Sequence, residues 1–556
     1  MNLLTDPLFR VETPIGLMWL DLPGVLEALA NDQVAGLPGV QRHQEDALHI
    51  FLCYLSAAVL VREDQANPRQ TASFWREGIR RLTRADGGND DIAWTLVVAD
   101  PTRPAFMQPP CKTIADFHQF KAKASTPAEL DLLPTAKNHD VKSRRLGHAE
   151  SEDWIYALVS LQTMSGFYGK GNYGIARMNS GSGSHSVIAV DAATSLGTRW
   201  LDHTTRLLGL RQGVLQGVWG YRADGLVCTW IPPWDLTTSL SLEHLDPFFI
   251  EVCRPLRLTK TSGGVLALGT SSSGPRIAAQ GSKGVLGDPW SPINQSDKDP
   301  TALTVSANGF TPSLLRNLIF QDGFTLTPLQ LPVGEQIGKG CTLTASVLVR
   351  GQGTTDGFHQ VQLPIPGPST RRLFRRGAGH DQLASLSKTA IEDSGVMQNK
   401  VLKTAIYALL EAGPTQVDFD KREISAWWGM TQRTFTNAWS SDYFPWLWRT
   451  MEAPDAEAAR LEWLRALRAK AETALATAIA RYPVRTGRRY RAQVRAQGVN
   501  IRSPLLDREE STGHTRENVV KSAPWKVRPI SIYPLSLCRG VAVRLTARRS
   551  LLLRNG

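Results

Sequence analysis

Residues 367–380, GPSTRRLFRRGAGH, separate two parts of the chain that differ in sequence pattern. Before this segment, from about residue 166, glycine, serine and proline cluster between short apolar runs, which is typical of strands and loops. After it, apolar residues recur at helical spacing, as they do over 455–481. The sequence therefore predicts an α+β fold, with a large mixed N-terminal body over 1–366, a basic linker over 367–380 and a C-terminal four-helix bundle over 381–497.

The periodicity also predicts individual elements. In the body, it predicts helices over 41–62, 69–84 and 152–165, and short strands over 187–190, 226–231 and 248–253. In the bundle, it predicts helices over 381–412 with a break near Ser394–Gly395, over 417–440 and 455–481, and from about Gly487. A β-hairpin is predicted over 343–365, because apolar residues alternate on two arms that flank a polar, glycine-rich turn.

The last segment, 498–556, is predicted to be an irregular basic tail. It contains 11 Lys and Arg against 4 Asp and Glu, which is +7 of the net charge of +12. The other residues carry the remaining +5, so the rest of the chain is only mildly basic. A basic excess favours a polyanionic partner such as nucleic acid.

Composition and cysteine use argue against several classes of protein. With 42% hydrophobic and 21% charged residues among 556, the chain is not a disordered protein. The six cysteines form no CxxC pair and no Cys/His set with zinc spacing, so we expect no metal and no cofactor. We find neither a signal-peptide pattern nor an apolar run long enough to span a bilayer, and we therefore expect a cytoplasmic protein without a membrane partner.

Motifs that resemble catalytic or nucleotide-binding sites fail on their context. Gly169–Gly174 fits GxGxxG, but a predicted helix precedes it and a strand follows, which is the reverse of a dinucleotide-binding unit. Gly334–Gly340 is one residue short of a phosphate loop and ends in glycine. His380–Asp381 has no further histidine in the helices that follow, so it is interpreted as a helix cap. We expect no enzyme; the alternatives are a metal-dependent nuclease or phosphohydrolase, and a scaffold protein without nucleic-acid contact.

Two features are candidates for ligand contact. In the glycine loop, residues 166–174, clustered glycines allow the backbone to approach a ligand closely, and Lys170, Asn172 and Arg177 suit an anionic group or a base edge. A flexible loop without a ligand is the alternative. The tip of the predicted hairpin carries Gln352 and is either a probe inserted into a partner or an ordinary surface turn.

Together these pieces resemble the CasA family, the large subunit of Cascade, which is the type I-E CRISPR RNA-guided surveillance complex. The resemblance rests on the order and spacing of Met1–Asp6, Ala105–Gln108, the glycine loop, the hairpin and the terminal bundle, over roughly residues 1–497. It implies an antiviral defence protein that recognises the protospacer-adjacent motif (PAM) of double-stranded DNA from the minor groove and helps strand opening. The implied partners are other Cascade subunits, crRNA, target DNA and a helicase-nuclease recruited after target binding; no catalytic residue is implied.

The resemblance also implies roles for particular residues. For PAM contact it implies the loop residues Gly166, Phe167, Gly169, Lys170, Gly171 and Asn172, a lysine finger at Arg276 or Lys283, and a wedge at Gln352 and Gly353. For contact with the guide region it implies a basic loop with Asn138, Lys142, Arg144 and Arg145. Two departures from the family pattern stand out: Cys253 is alone where some members have a cysteine cluster, and the tail after Gln497 has no counterpart.

Overall fold

A computed structural model describes twelve segments of the chain: residues 1–132, 149–179, 181, 183–192, 195–296, 298–334, 336–351, 354–374, 378–411, 422–452, 455–482 and 486–501. Short sheets and helices alternate up to residue 366, and in the described part that follows, all regular structure is helical. This arrangement confirms the predicted α+β class. Among the described residues, no helix combines the length and the apolar character that a membrane span requires.

The helices of the N-terminal body include one that is buried along most of its length. They are α1 (Leu22–Ala30), α2 (Glu45–Arg62), α3 (Ala72–Ala85), α4 (Ile114–Phe117), α5 (Pro127–Asp131), α6 (Ser151–Met164), α7 (Leu196–Leu215), α8 (Pro312–Ile319) and α9 (Gln336–Lys339). Helix α2 packs against α3, α6 and α7, and apart from His49 every residue from Ala47 to Leu60 is buried. Helices α2, α3 and α6 confirm the three helices predicted for the body, within a few residues at each end.

The strands of the body form several small sheets. They are β1 (Phe9–Thr13), β2 (Gly16–Leu20), β3 (Lys121–Ala124), β4 (Val187–Asp191), β5 (Leu226–Cys228), β6 (Leu240–Ser241), β7 (Leu245–Ile250), β8 (Leu256–Thr261), β9 (Gly264–Gly269), β10 (Ile277–Ala278), β11 (Ile293–Asn294), β12 (Thr301–Ala302), β13 (Phe324–Thr325), β14 (Gly340–Gly351) and β15 (Thr354–Pro366). Two sheets matter for the site: β3-β9-β8, and β15-β14-β4.

Strands β14 and β15 form the predicted hairpin. They pair antiparallel from Gly340↔Pro366 to Gly351↔Thr354, with a register shift between Val349 and Arg350. Strand β4 pairs with the opposite edge of β14, but only over Thr342–Ser346. Strand β14 is thus paired on both edges at the base of the hairpin, and the distal half of the hairpin extends beyond β4.

The C-terminal helices form the predicted bundle. They are α10 (Gly367–Phe374), α11 (Ala378–Val396), a π-helical turn (Met397–Leu402), α12 (Lys403–Glu411), α13 (Arg422–Glu452), α14 (Ala456–Arg481) and α15 (Thr486–Ile501). Helix α11, the π turn and α12 make one rod whose irregularity falls next to the predicted break. That rod packs with α13, α14 and α15, which gives four rods in all.

Two bundle helices are longer than the sequence predicts. Helix α13 continues through Pro445 to Glu452, because Tyr443, Leu447 and Met451 in its far half are buried in the bundle core. Helix α15 continues past Gln497 to Ile501.

The residues predicted to be a linker, 367–380, are helical where the structure describes them. Pro368 lies in the first turn of α10, where its missing N–H costs no hydrogen bond. Leu373 is buried, and the Thr370 hydroxyl lies within hydrogen-bonding distance of the Ile365 and Pro366 carbonyl oxygens (3.2 and 3.0 Å). Helix α10 therefore packs against the base of the hairpin. The division of the chain into domains stays a prediction, since side chains of β14 and of the bundle share one hydrophobic core.

Candidate nucleic-acid interface

The glycine loop follows α6 and is fixed by backbone hydrogen bonds. The Tyr168 N–H donates to the Asn172 carbonyl and the Asn172 N–H donates to the Gly169 carbonyl, both at 2.9 Å. The N–H groups of Gly166 and Phe167 donate to the carbonyl oxygens of Gly183 and Gly181, both at 2.8 Å. These bonds argue against the alternative of a flexible loop.

Two positions of the loop, 169 and 171, hold glycine for different structural reasons. At Gly171 the φ angle is +85°, and a Cβ atom would lie 2.5 Å from the Cβ of Ser271. At Gly169 the φ angle is +103°, but a Cβ atom would have no neighbour within 4 Å. Gly171 is therefore required by packing, whereas Gly169 presents bare backbone to open space, where a ligand can approach.

The side chains near Gly169 have different exposures. Lys170 is exposed, Asn172 is half-buried, and Phe167 is 40% exposed with its ring 6.0 Å from that of Tyr173. Arg177 is buried instead: its guanidinium donates to the Phe249 carbonyl at 2.9 Å. The loop thus presents one cation and one aromatic ring to solvent, and Arg177 does not contribute to this surface.

The structure separates the two lysine-finger candidates. Arg276 is only 3% exposed, and its guanidinium donates to the carbonyl oxygens of Pro232 (2.8 Å), Thr229 (3.1 Å) and Pro233 (3.2 Å). Burial lowers the pKa of Arg276 to about 10. Both terminal nitrogens of Arg276 thus donate to carbonyl oxygens within the body. This burial depends on how the chain folds and has no signature in the local sequence.

Lys283 lies on the surface, next to the glycine loop. Its side chain is 41% exposed, and its ammonium group is 3.0 Å from the Asp299 carboxylate, which is more exposed still. An exposed pair of this kind stabilises a fold only weakly, so Lys283 can exchange Asp299 for a ligand. Of the two candidates, Lys283 is therefore the one that is accessible to a ligand.

A cleft of about 430 Å³ lies between the glycine loop and the segment that carries Lys283. The loop lines it with Gly166, Phe167, Tyr173 and Gly174, and the other side includes Ile277 and Lys283. The fold therefore brings together two predicted contact elements that are more than a hundred residues apart in sequence.

The described end of the hairpin also contacts the glycine loop. Arg350, at the end of β14, is 3% exposed, and its guanidinium carbon lies 5.2 Å from the ring centroid of Tyr168. Arg254 lies 5.1 Å from the same centroid and donates to the Gly166 carbonyl at 2.5 Å. Two arginines thus hold Tyr168 of the loop, and one of them belongs to the hairpin. We call this set of Tyr168, Arg254 and Arg350 the arginine–tyrosine clamp.

Sequence reasoning assigned no role to the clamp residues. Tyr168 lies within the glycine loop and Arg350 directly precedes the predicted tip, but nothing in either position signals a contact between them. The predicted wedge residues Gln352 and Gly353 lie outside the described residues. So do Asn138, Lys142, Arg144 and Arg145 of the predicted guide-region loop.

The described residues beside the predicted guide-region loop are close to the hairpin. Asp131, at the end of α5, is buried; it accepts a hydrogen bond from Gln44 at 2.7 Å and lies 2.8 Å from His43. Its charge partly offsets the effect of burial, which lowers the pKa of Arg350 to about 10. Leu130 of α5 lines a cleft together with Tyr168 of the glycine loop, and Arg350 of the hairpin contacts Tyr168. The end of α5 therefore lies near both the glycine loop and the hairpin.

No protein-family model matches the sequence, and no curated protein matches it either. Solved structures do match. CasA from Thermus thermophilus has a TM-score of 0.57 at 16% identity, covering 90% of this chain and 98% of that chain. Cse1 from Acidimicrobium ferrooxidans, a CRISPR-associated protein, has a TM-score of 0.56 at 13% identity, with 92% and 98% covered. Cse1 from Thermobifida fusca has a TM-score of 0.54 at 13% identity, with 90% and 96% covered. The chain adopts the fold of these CasA and Cse1 structures, as the sequence resemblance implies.

Proposed function

We propose that this chain is a member of the CasA family and acts as the large subunit of a type I-E Cascade complex. In this role it recognises a PAM in double-stranded DNA from the minor groove and helps the adjacent strands to separate. The observation that carries the proposal is the arginine–tyrosine clamp, which joins a backbone-presenting loop to a strand hairpin. The CasA-like fold supports the same role.

The glycine loop suits recognition from the minor groove. That groove carries a degenerate pattern of donors and acceptors, so width and close approach contribute much of the readout. Bare backbone at Gly169 permits a closer approach than a side chain would. Lys283, which lines the cleft, and Lys170, which is exposed on the glycine loop, supply charge for phosphate oxygens or base edges.

The hairpin suits a wedge between base pairs. Unstacking one base step costs a few kcal/mol, so a wedge needs a rigid support. Strand β14 has a neighbour on each edge at its base, and the clamp fixes its distal end to the loop. A PAM seated on the glycine loop would therefore lie a fixed distance from the hairpin tip.

The chain acts as a binding subunit in this proposal and not as a nuclease. Base pairing with crRNA selects the target sequence, by analogy with other RNA-guided effectors, and the protein reads only a short motif. Other Cascade subunits and crRNA hold it in the complex, and a helicase-nuclease joins after target binding. Among the described residues, the group of three metal-ligating side chains within reach of one another is His49, Cys53 and His203, of which Cys53 and His203 are fully buried. That position does not favour a nuclease centre.

Lys283→Ala in a reconstituted complex tests the proposal. We expect it to weaken binding of PAM-containing duplex by roughly 1–3 kcal/mol and to lower the slope of log affinity against log salt by about 1. Lys298→Ala, at an exposed lysine outside the cleft, is the matched control and should leave both quantities unchanged. Equal binding of PAM-containing duplex by the two variants would contradict the proposed recognition site.

A further inference from the structure

Two histidines and a cysteine meet between α2 and α7. His49 and Cys53 are four residues apart on α2 and therefore share one face, which α7 covers with His203. The His49 Nε2 atom is 2.8 Å from His203 Nδ1 and 3.6 Å from the Cys53 Sγ atom. All three ligand atoms lie within 4.8 Å of one another. Local sequence pattern does not reveal this group, because His203 is 150 residues from Cys53 along the chain.

We infer that His49, Cys53 and His203 bind a zinc ion. Zinc prefers nitrogen and sulfur ligands, and tetrahedral bonds of ordinary length place two nitrogens about 3.3 Å apart and nitrogen and sulfur about 3.6 Å apart. The distance from His49 to Cys53 already matches. The two histidine nitrogens, 2.8 Å apart, lie about half an ångström closer than such bonds require, so zinc binding would have to separate them by that amount.

A carboxylate orients the ligand from α7. Asp191, at the end of β4, lies 2.8 Å from the Nε2 atom of His203 and leaves Nδ1 directed towards His49. Burial alone would raise the pKa of Asp191, but Arg199 and His203 hold it below its ordinary range, so Asp191 is ionised. A carboxylate on the outer nitrogen of a ligating histidine is a common second layer of zinc sites.

The protonation states and charges are compatible with zinc. Burial and the Arg199 charge lower the pKa of His49 well below its ordinary value, which leaves the neutral ligand form. Burial raises the pKa of Cys53 to about 12, so zinc binding would release its proton to solvent. Arg199 contacts both Asp46 and Asp191, which leaves one excess negative charge. Zinc with a thiolate adds one positive charge and brings the buried group to neutrality.

The zinc site would also stabilise the hairpin. Asp191 accepts a hydrogen bond from the Thr344 hydroxyl of β14 at 2.8 Å. Asp46, the other partner of Arg199, accepts one from the Ser346 hydroxyl of the same strand. The ion would therefore fix α2, α7 and β4 where the base of the hairpin is held.

Zinc content of the full chain, measured by elemental analysis after gel filtration in metal-free buffer, tests the inference. We expect about one zinc per chain in the wild type and at least roughly tenfold less in Cys53→Ala. Cys228→Ala is the matched control, since Cys228 is equally buried and lies outside the group, and it should retain its zinc.

A second measurement covers the case in which Cys53→Ala does not fold. Wild-type chain expressed in cobalt-supplemented medium should show thiolate-to-cobalt charge-transfer absorption in the near ultraviolet. A wild-type chain with neither zinc nor this absorption would overturn the inference. The 2.8 Å contact between His49 and His203 would then be an ordinary hydrogen bond between two buried imidazoles. Equal zinc content in Cys53→Ala and Cys228→Ala would overturn it as well.

Discussion

At the scale of single residues, Gly169 and Gly264 offer a matched comparison. Both have positive φ angles, +103° and +116°, and at both a Cβ atom would have no neighbour within 4 Å. Valine at either position is therefore expected to cost a similar amount of stability, roughly 1–3 kcal/mol, through backbone strain alone. Gly169 lies in the glycine loop, whereas Gly264 is the first residue of β9, directly after the turn that joins it to β8.

We predict that Gly169→Val weakens PAM recognition and that Gly264→Val does not. The valine at 169 places bulk where the backbone would approach the groove, so binding should fall on both intact and pre-opened targets that keep a double-stranded PAM. Binding is measured by titration of labelled duplex with assembled complex, and stability by thermal unfolding. If both variants bind as wild type, Gly169 is not at the interface.

A second residue, Asp86, gives the fold a pH dependence. It follows α3, and its carboxylate accepts hydrogen bonds from the N–H groups of Cys228 (2.7 Å) and Val227 (3.2 Å). Burial outweighs these bonds and raises the pKa of Asp86 to about 6. Because the folded chain keeps this proton up to about pH 6 and the unfolded chain loses it near pH 4, this contribution to stability falls as pH rises between those values.

We expect the free energy of unfolding of the wild type to fall by roughly 1–3 kcal/mol between pH 4 and pH 6 because of Asp86. We predict that this fall is absent in Asp86→Asn. The neutral amide has no charge to desolvate and still offers an acceptor oxygen. Urea unfolding at several pH values compares the variant with wild type and with Asp224→Asn, an exposed control. Parallel pH profiles for wild type and Asp86→Asn would show that burial does not raise this pKa.

At the scale of elements, the hairpin was predictable and its contacts were not. Alternation in 343–365 predicts two arms, and the structure confirms them as β14 and β15. The pairing of β14 with β4 joins residues about 155 positions apart, which local pattern cannot reveal. Local pattern also could not reveal the burial of Arg276 or the contact between Arg350 and Tyr168. Both depend on which distant parts of the chain pack against these side chains.

The proposed wedge predicts a difference between two glutamines of one hairpin. Gln352→Ala should slow strand opening on intact duplex but leave binding to a pre-opened target unchanged, because the cost of unstacking has already been met there. Gln360→Ala is the control: Gln360 lies on β15, away from the tip, and its side-chain oxygen accepts from Arg42 at 3.2 Å. Fluorescence of a base analogue beside the PAM reports opening. Equal opening rates for wild type and Gln352→Ala would remove the wedge role from Gln352.

At the scale of the whole molecule, helical periodicity predicted the bundle but placed its last boundary too early. The sequence pattern ends near Gln497, whereas α15 ends at Ile501. Helix α15 packs against α12, and the small side chains Ala492 and Ala496 are fully buried there. Alanine is only weakly apolar and this helix is rich in arginine, so the sequence alone does not indicate which face is buried. The packing against α12 shows that face.

The boundary at Ile501 makes a final prediction about truncation. A chain that ends after Ile501 should fold and assemble like the full chain, because residues 502–556 have no helical or strand period and a charge unlike that of the rest. A chain that ends after Tyr482 loses α15 and exposes the apolar surface of α12, so its melting temperature should fall by more than about 5 °C. Thermal unfolding and co-purification with the other subunits measure the two outcomes. A comparable fall in the melting temperature of the chain that ends after Ile501 would mean that residues 502–556 complete the fold. No fall for the chain that ends after Tyr482 would mean that α15 adds nothing to the bundle.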